Sequence, residues 1–354
     1  MKVLLIGDYP PPYGGIAVQL QQLRRTLPEN GIDCQVLNIG RGREVPGPEY
    51  QAVDGQLDFL FKLFRFGRAG YLLHLFTSGE NWKSWAATIV VGSVGRVTRV
   101  SSIVTITSGR APAYLAGAWP WVRAFARLGV RLVSAVICRT DAIARAIRGW
   151  RATEVSVLPA FSASRLRPAS RPPEAVVRFA STRRPIVVSV AILRQEYDLP
   201  TLLQAFRDLR SDYPTSGLVV VGGGEDEAKV RDLVNLWRLE ESVLLAGWVA
   251  YSECLAIIRE ADVFVRTTLY DGDASSVREA LALGVPVVAT RTDFRPDGVV
   301  LAPPGDPGAV RRGIAEVLAN QSATRTPRVS SALSSDAGLE ALYRRLSSRP
   351  GRRA

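Results

Sequence analysis

Asp271 and Glu279 are two carboxylates eight positions apart in Tyr270-Asp-Gly-Asp-Ala-Ser-Ser-Val-Arg-Glu279. An apolar run ends at Arg266, a loop then carries Asp271, and a helical pattern starts near Ser276, so the two acids flank a helix N-terminus. Free N–H groups at such an end attract phosphate. Acids beside them would repel that phosphate unless they accept hydrogen bonds from uncharged hydroxyls next to it, a condition that sugar and ribose hydroxyls meet. The same residues also have a structural use, since Ser276-Val-Arg-Glu279 fits a capping box and Gly284 a C-terminal cap. A second candidate is Gly14-Gly15, which follows the first apolar run. Glycine lets a backbone N–H come close to a phosphate, and a plain turn is the alternative there. Gly222 to Gly224 read as a tight turn.

Other chemistries find little support. Cys34, Cys138 and Cys254 stand far apart without paired spacing, and His74 is the single histidine, which argues against a disulfide framework and a Cys/His zinc site. The N-terminal apolar run is too short for a signal peptide, and no segment reaches the roughly 20 apolar residues that span a bilayer. A cytoplasmic protein is expected.

Short apolar runs recur at 2–7, 34–39, 71–76, 102–106, 133–138 and 155–158, with helix-length segments between several of them. Strands alternating with helices predict an α/β fold with parallel sheets covered on both faces. Residues 166–184, with Pro168, Pro172 and Pro173, have linker composition, and the pattern restarts at Ile186. The sequence therefore predicts a first domain over 1–165, a linker over 166–184, a second domain over 185–330, and a C-terminal helix and basic tail over 331–354 that return towards the first domain. Ligands bind outside the carboxyl ends of strands in such sheets, and two such domains facing each other would put the site in the cleft between them.

The stretch around Asp271 and Glu279 resembles the E-x7-E region of retaining glycosyltransferases of family 4, with Asp271 where the first Glu is usual and Glu279 matching the second. Gly14-Gly15, Val155-Ser-Val-Leu-Pro159, Val219-Val-Val-Gly-Gly-Gly224, Leu245-Ala-Gly-Trp248, Ala261-Asp-Val-Phe264 and Leu301-Ala-Pro-Pro-Gly-Asp306 agree in order and spacing. The resemblance implies GT-B architecture, two Rossmann-like doubly wound domains facing across a cleft, and a metal-independent transfer without a cofactor. It gives Asp271 to donor sugar hydroxyls, Glu279 to the ribose, and Gly14 and Gly15 to the donor phosphates; Ser275 and Ser276 would bracket those phosphates too, and Arg194 is either a further phosphate contact or a solvated loop arginine. Thr107, Ser108 and Arg110 become candidates on the acceptor side, as does His74, although the apolar run Leu72-Leu-His-Leu-Phe76 around it favours a satisfied core residue.

The pattern departs at three places. The Gly-Arg and following Lys that grip the pyrophosphate in the family fall here on Ala191-Ile192 and Tyr197; the His of Thr-x-His-Gly is Thr107; and the usual Phe-Gly after the first acid is Asp273-Ala274. A non-catalytic GT-B protein that binds a nucleotide-sugar, or supports a partner transferase, is therefore the alternative to an active enzyme.

The 354 residues carry a net charge of +12. Residues 1–180 hold 23 Lys and Arg against 11 Asp and Glu, and the remainder is balanced at 22 against 22. Arg123, Arg127 and Arg131 form a basic stripe at helical spacing near Trp119, Trp121 and Phe125, and Phe59-Leu-Phe-Lys-Leu-Phe-Arg-Phe66 is a second aromatic and basic segment. These features suit a peripheral contact with the anionic inner face of a cell membrane. No nucleic-acid motif accompanies them. The expectation is a retaining transfer from a nucleotide-sugar to a glycan or lipid-linked acceptor in polysaccharide or cell-envelope biosynthesis.

Overall fold

The computed structural model describes residues 1–11, 13–40, 47–150, 154–163, 166–169, 171–320 and 335–348. It divides the chain into two units, Met1–Arg165 with Leu333–Ala354, and Leu166–Ala332.

In the first unit seven strands form one parallel sheet: β1 (Lys2–Gly7), β2 (Asp33–Asn38), β3 (Gln51–Ala52), β4 (Leu72–Thr77), β5 (Ser102–Ile106), β6 (Ala135–Cys138) and β7 (Val155–Val157). Their order is β3-β2-β1-β4-β5-β6-β7. Alternate residues of β1 enter different cores: Leu4 and Ile6 join Trp85 and Ala126, whereas Val3 and Leu5 join Leu20 and Leu23. A strand with side chains buried on both faces must be apolar throughout, which is why these runs lack the polar alternation of a half-exposed strand.

The helix Ser335–Ser347 belongs to this unit. Leu339, Leu342, Tyr343 and Leu346 recur at the spacing of one helix face and pack with Val3, Leu5 and Ile103. Tyr343 reaches His74, whose Nδ1 lies 2.5 Å from its hydroxyl while Nε2 lies 2.7 Å from Thr105 Oγ1. His74 is fully buried, and burial holds its pKa well below the ordinary value, so the ring is neutral. This corrects the acceptor-side assignment of His74: it sits in the middle of β4 rather than at its end, and both ring nitrogens are committed inside the core. The tail 349–354 lies outside the described residues, as does 321–334.

The second unit holds β8 (Ile186–Val190), β9 (Gly217–Val221), β10 (Val243–Gly247), β11 (Val263–Arg266), β12 (Val287–Thr290) and β13 (Val299–Ala302). They pair in parallel in the order β10-β9-β8-β11-β12-β13. The order reverses direction between β8 and β11, and open sheets of this kind take ligands beside that point at the carboxyl ends of the strands. The 166–184 stretch is not purely a linker, because Glu174–Ser181 forms a helix whose Val176 and Phe179 pack beside Val188 and Val219. Its apolar residues at i and i+3 outweigh the prolines that precede it.

Glycine is required where β9 ends. Gly222 has φ of +123°, and a Cβ there would lie 1.9 Å from the Ala191 carbonyl oxygen. The Gly222 N–H instead donates to Gly247 O at 2.8 Å. This is a close backbone approach, in keeping with the tight-turn reading of Gly222 to Gly224.

Candidate functional site

In the second unit β11 is apolar until its last residue, Arg266, which is positioned at the point where the strand order reverses. Arg266 donates from Nη1 to the carbonyl of Val190, the last residue of β8, at 2.8 Å. The loop that follows brings Asp271 back onto it. Arg266 donates to Asp271 Oδ2 from Nε at 3.1 Å, and its Nη2 lies 3.0 Å from the same oxygen as an ion pair. Arg295, from the segment after β12, donates to the same oxygen from Nη1 at 3.2 Å, and the Thr268 hydroxyl lies 3.3 Å from it. Among the described residues every bond to Asp271 falls on Oδ2.

Each guanidinium is fixed from behind. Arg295 donates from Nε to Thr290 O at 3.0 Å and from Nη2 to Thr268 Oγ1 at 2.7 Å. Arg266 lies 4.7 Å over the Tyr197 ring, a cation–π contact. The side chains of Arg266, Arg295 and Asp271 are 10%, 4% and 15% exposed. Burial lowers the pKa of Arg295, and the charge of Arg266 pulls the same way against the opposing pull of Asp271.

The helix Ser275–Ala282 starts directly after this loop, with Ala274 as its N-cap and no side-chain cap bond. The capping-box use of Ser276 and Glu279 is thereby corrected: the helix begins two residues earlier than that box needs, which leaves Glu279 in its second turn. Gly284 does follow the C-cap Leu283, at φ +77°. Glu279 is buried, accepts from the Tyr251 hydroxyl at 3.0 Å, and is also bonded by the Ser275 side chain. Burial pushes its pKa up to about 7, against the two hydrogen bonds and the charge of Arg266. Ser276 is buried and Ser275 half-buried.

The remaining candidates are spread more widely. Arg194 lies on the loop after β8, over a third exposed, and pairs with Glu225 at 3.5 Å. Asp273 is bound to Arg278 at 2.5 Å, and Arg278 lies 5.1 Å over the Phe294 ring. In the first unit Gly14 is the N-cap of the helix Gly15–Glu29, with φ of −99° and no side-chain cap bond. A Cβ on Gly15 would meet nothing within 4 Å, so its lack of a side chain leaves open space rather than easing strain. Thr107 donates to Thr77 O at 3.2 Å, Ser108 donates to Glu80 at 2.7 Å, and the Arg110 N–H donates to Ser108 Oγ at 3.1 Å. All three follow the carboxyl end of β5. The structure thus gathers Asp271, Glu279, Ser275 and Ser276 at one corner of the second sheet, and adds Arg266, Arg295 and Tyr251, which motif reading missed.

Residues 173–330 match the family model described as glycosyl transferases group 1. The chain is 32% identical over 110 residues to the putative colanic acid biosynthesis glycosyltransferase WcaL of Escherichia coli, a match covering 29% of this chain and 27% of that protein. It is 29% identical over 136 residues to the amylovoran biosynthesis glycosyltransferase AmsK of Erwinia amylovora, covering 35% of this chain and 33% of that one. The matched segment thus spans about a quarter to a third of the length of these curated relatives. Anabaena HepE in complex with UDP-glucose superimposes with a TM-score of 0.74 at 16% identity, over 99% of this chain and 100% of that one. Among the described residues no helix is long and apolar enough to cross a membrane. Residues 173–330 are thus similar to glycosyl transferases group 1, and the two Rossmann-like α/β units have the GT-B fold.

Proposed function

We propose that the protein is a retaining glycosyltransferase that moves a sugar from a nucleotide-sugar to a lipid-linked glycan acceptor in polysaccharide or cell-envelope biosynthesis. The observation that carries the reading is the pair Asp271 and Glu279 at the carboxyl edge of the second sheet, beside the strand reversal and an uncapped helix start. Asp271 would accept from donor sugar hydroxyls and Glu279 from the ribose. In the first unit the reading assigns Gly14 and Gly15 to phosphate, and Thr107, Ser108 and Arg110 to the acceptor. In the transfer the bond between the sugar C1 and the donor diphosphate breaks while the acceptor oxygen bonds to C1 on the same face. The acceptor's proton passes to the leaving diphosphate, so no enzyme nucleophile and no metal ion is needed. The UDP-glucose bound in HepE and the polysaccharide roles in the names of WcaL and AmsK support the substrate class.

Calorimetric titration with UDP, GDP, ADP, TDP and CMP tests this. One nucleotide is expected to bind and to lose at least ten-fold in affinity in Glu279→Gln. If none binds, the donor assignment is wrong. If one binds and no acceptor is ever turned over, the protein is a nucleotide-sugar-binding subunit of another transferase, a reading motivated by Ile192, Tyr197 and Thr107.

The lipid side of the proposal draws on the first unit. The helices Gly55–Arg68 and Pro120–Leu132 bury Leu63, Phe66, Ala126 and Val130 in one core on one face of the sheet. Phe61 at 67%, Trp119 at 74% and Trp121 at 57% exposure lie on or beside these same helices. Exposed aromatics among arginines match the interfacial region of an anionic bilayer. Phosphatidylglycerol vesicles are expected to bind the protein in a salt-sensitive way, several-fold less after Trp119→Ser with Trp121→Ser, and an oligonucleotide is not. Binding to the oligonucleotide alone would sink this part.

A further inference from the structure

We propose that Arg266 and Arg295 are the groups that bind the donor's diphosphate, and that Asp271 stands in the place of a phosphate oxygen until the donor arrives. The proposal rests on the nucleotide-sugar reading for its ligand, but its evidence is the geometry and charge of the cluster. Two guanidinium groups converge on one oxygen, Asp271 Oδ2, at 3.0 to 3.2 Å. That leaves two positive charges against one negative charge in a buried setting. The neighbouring acids do not restore the balance, because Asp273 is paired with Arg278, and Glu279, with a pKa of about 7, is substantially protonated near neutrality. A buried excess of positive charge is unfavourable unless a second anion completes it.

The place is right for an anion as well as the charge. Arg266 ties the carboxyl ends of β8 and β11 together through Val190 O, and so lies at the edge where the strand order reverses, the place where open sheets take ligands. The helix Ser275–Ala282 opens beside it without a side-chain cap, adding unsatisfied N–H groups. Both guanidiniums are held from behind, Arg266 by Val190 O and the Tyr197 ring, Arg295 by Thr290 O and Thr268. Little ordering remains to be done when a ligand binds. A planar fork with several N–H donors suits the oxygens of a diphosphate better than a point charge does. When those oxygens displace Asp271 Oδ2, the freed carboxylate can turn to the sugar hydroxyls.

Calorimetry with inorganic pyrophosphate and with UDP, in metal-free buffer, on the wild type, Arg266→Met and Arg295→Met decides the matter. Each variant leaves one guanidinium facing one carboxylate, a balanced pair, so the fold is expected to persist. Pyrophosphate affinity is expected to fall at least ten-fold in each, with a shallower dependence on salt. Arg295→Lys, which keeps the charge but not the fork, is expected to lose several-fold and serves if a methionine variant fails to fold. Undiminished affinity in these variants overturns the proposal. A wild type that binds UDP as tightly as its variants do leaves the donor reading standing and removes this one. Pyrophosphate binding that depends on both arginines, with no nucleotide bound by the wild type, does the reverse. Failure of the wild type to bind either ligand removes both. A purely structural role for the arginines predicts lowered melting temperatures with affinity unchanged, which the same samples report.

Discussion

Asp271→Ala is expected to lower the stability of the second unit by about 3–5 kcal/mol, because it strips the carboxylate from two buried guanidiniums and leaves them facing each other. An exposed ion pair would cost well under about 1 kcal/mol, and the difference is set by burial. Chemical denaturation followed through Trp237 and Trp248, both in this unit, measures the loss. Adding Arg295→Met to Asp271→Ala is expected to recover much of it, since the second substitution removes one of the two uncompensated charges. The coupling between the two changes, rather than either alone, reports the pair. A loss below about 1 kcal/mol, or no recovery in the double variant, would show that water reaches the cluster and screens it. The destabilisation also means that turnover of Asp271→Ala has to be read on protein shown to be folded.

Glu279 makes stability depend on pH. Its carboxyl binds a proton with a pKa of about 7 in the folded chain against 4.5 for the ordinary group, so between those values the folded state holds more proton than the unfolded one. The contribution is therefore fully present below pH 4.5, is lost as pH rises, and has gone once pH passes about 7. At about 1.4 kcal/mol per unit the whole change is about 3 kcal/mol. Glu279→Gln keeps the shape and has nothing to titrate. The stability difference between wild type and Glu279→Gln, measured by urea denaturation from pH 5 to pH 8.5, is expected to shift in favour of the variant up to about pH 7 and to level off above it. A difference that stays constant across that range would mean that Glu279 remains ionised throughout, held by Tyr251 and Ser275.

Much of this was legible in the chain. Strands buried on both faces announce themselves as unbroken apolar runs, and the loops between them carry the glycines and acids, so the two sheets and the Asp271 to Glu279 corner follow from local pattern. β3 did not, because two residues, Gln51-Ala52, carry no period. The arginines were missed for a different reason. The family pattern puts its cations on the loop after β8, where Ile192 and Tyr197 stand, whereas the structure lays Arg266 from the neighbouring strand over the Tyr197 ring. One local signal was present: a charged residue closing the otherwise apolar run Val263-Phe-Val-Arg266, in a fully buried strand, has to find a partner. Arg295 gave no such sign, since its meeting with Asp271 depends on the fold. His74 was legible as a core residue from the apolar run around it, but its partner Tyr343 was not, since no local pattern encodes that contact.

That last contact bears on the order in which the protein is made. The second unit is a continuous stretch of chain and can close as soon as it leaves the ribosome, but the first keeps Val3, Leu5 and Ile103 uncovered until Leu339, Leu342 and Leu346 are synthesised. The half that begins first is thus completed last. For most of translation the nascent chain carries an apolar face with an imidazole waiting for its hydroxyl, and this interval is where chaperones would find it.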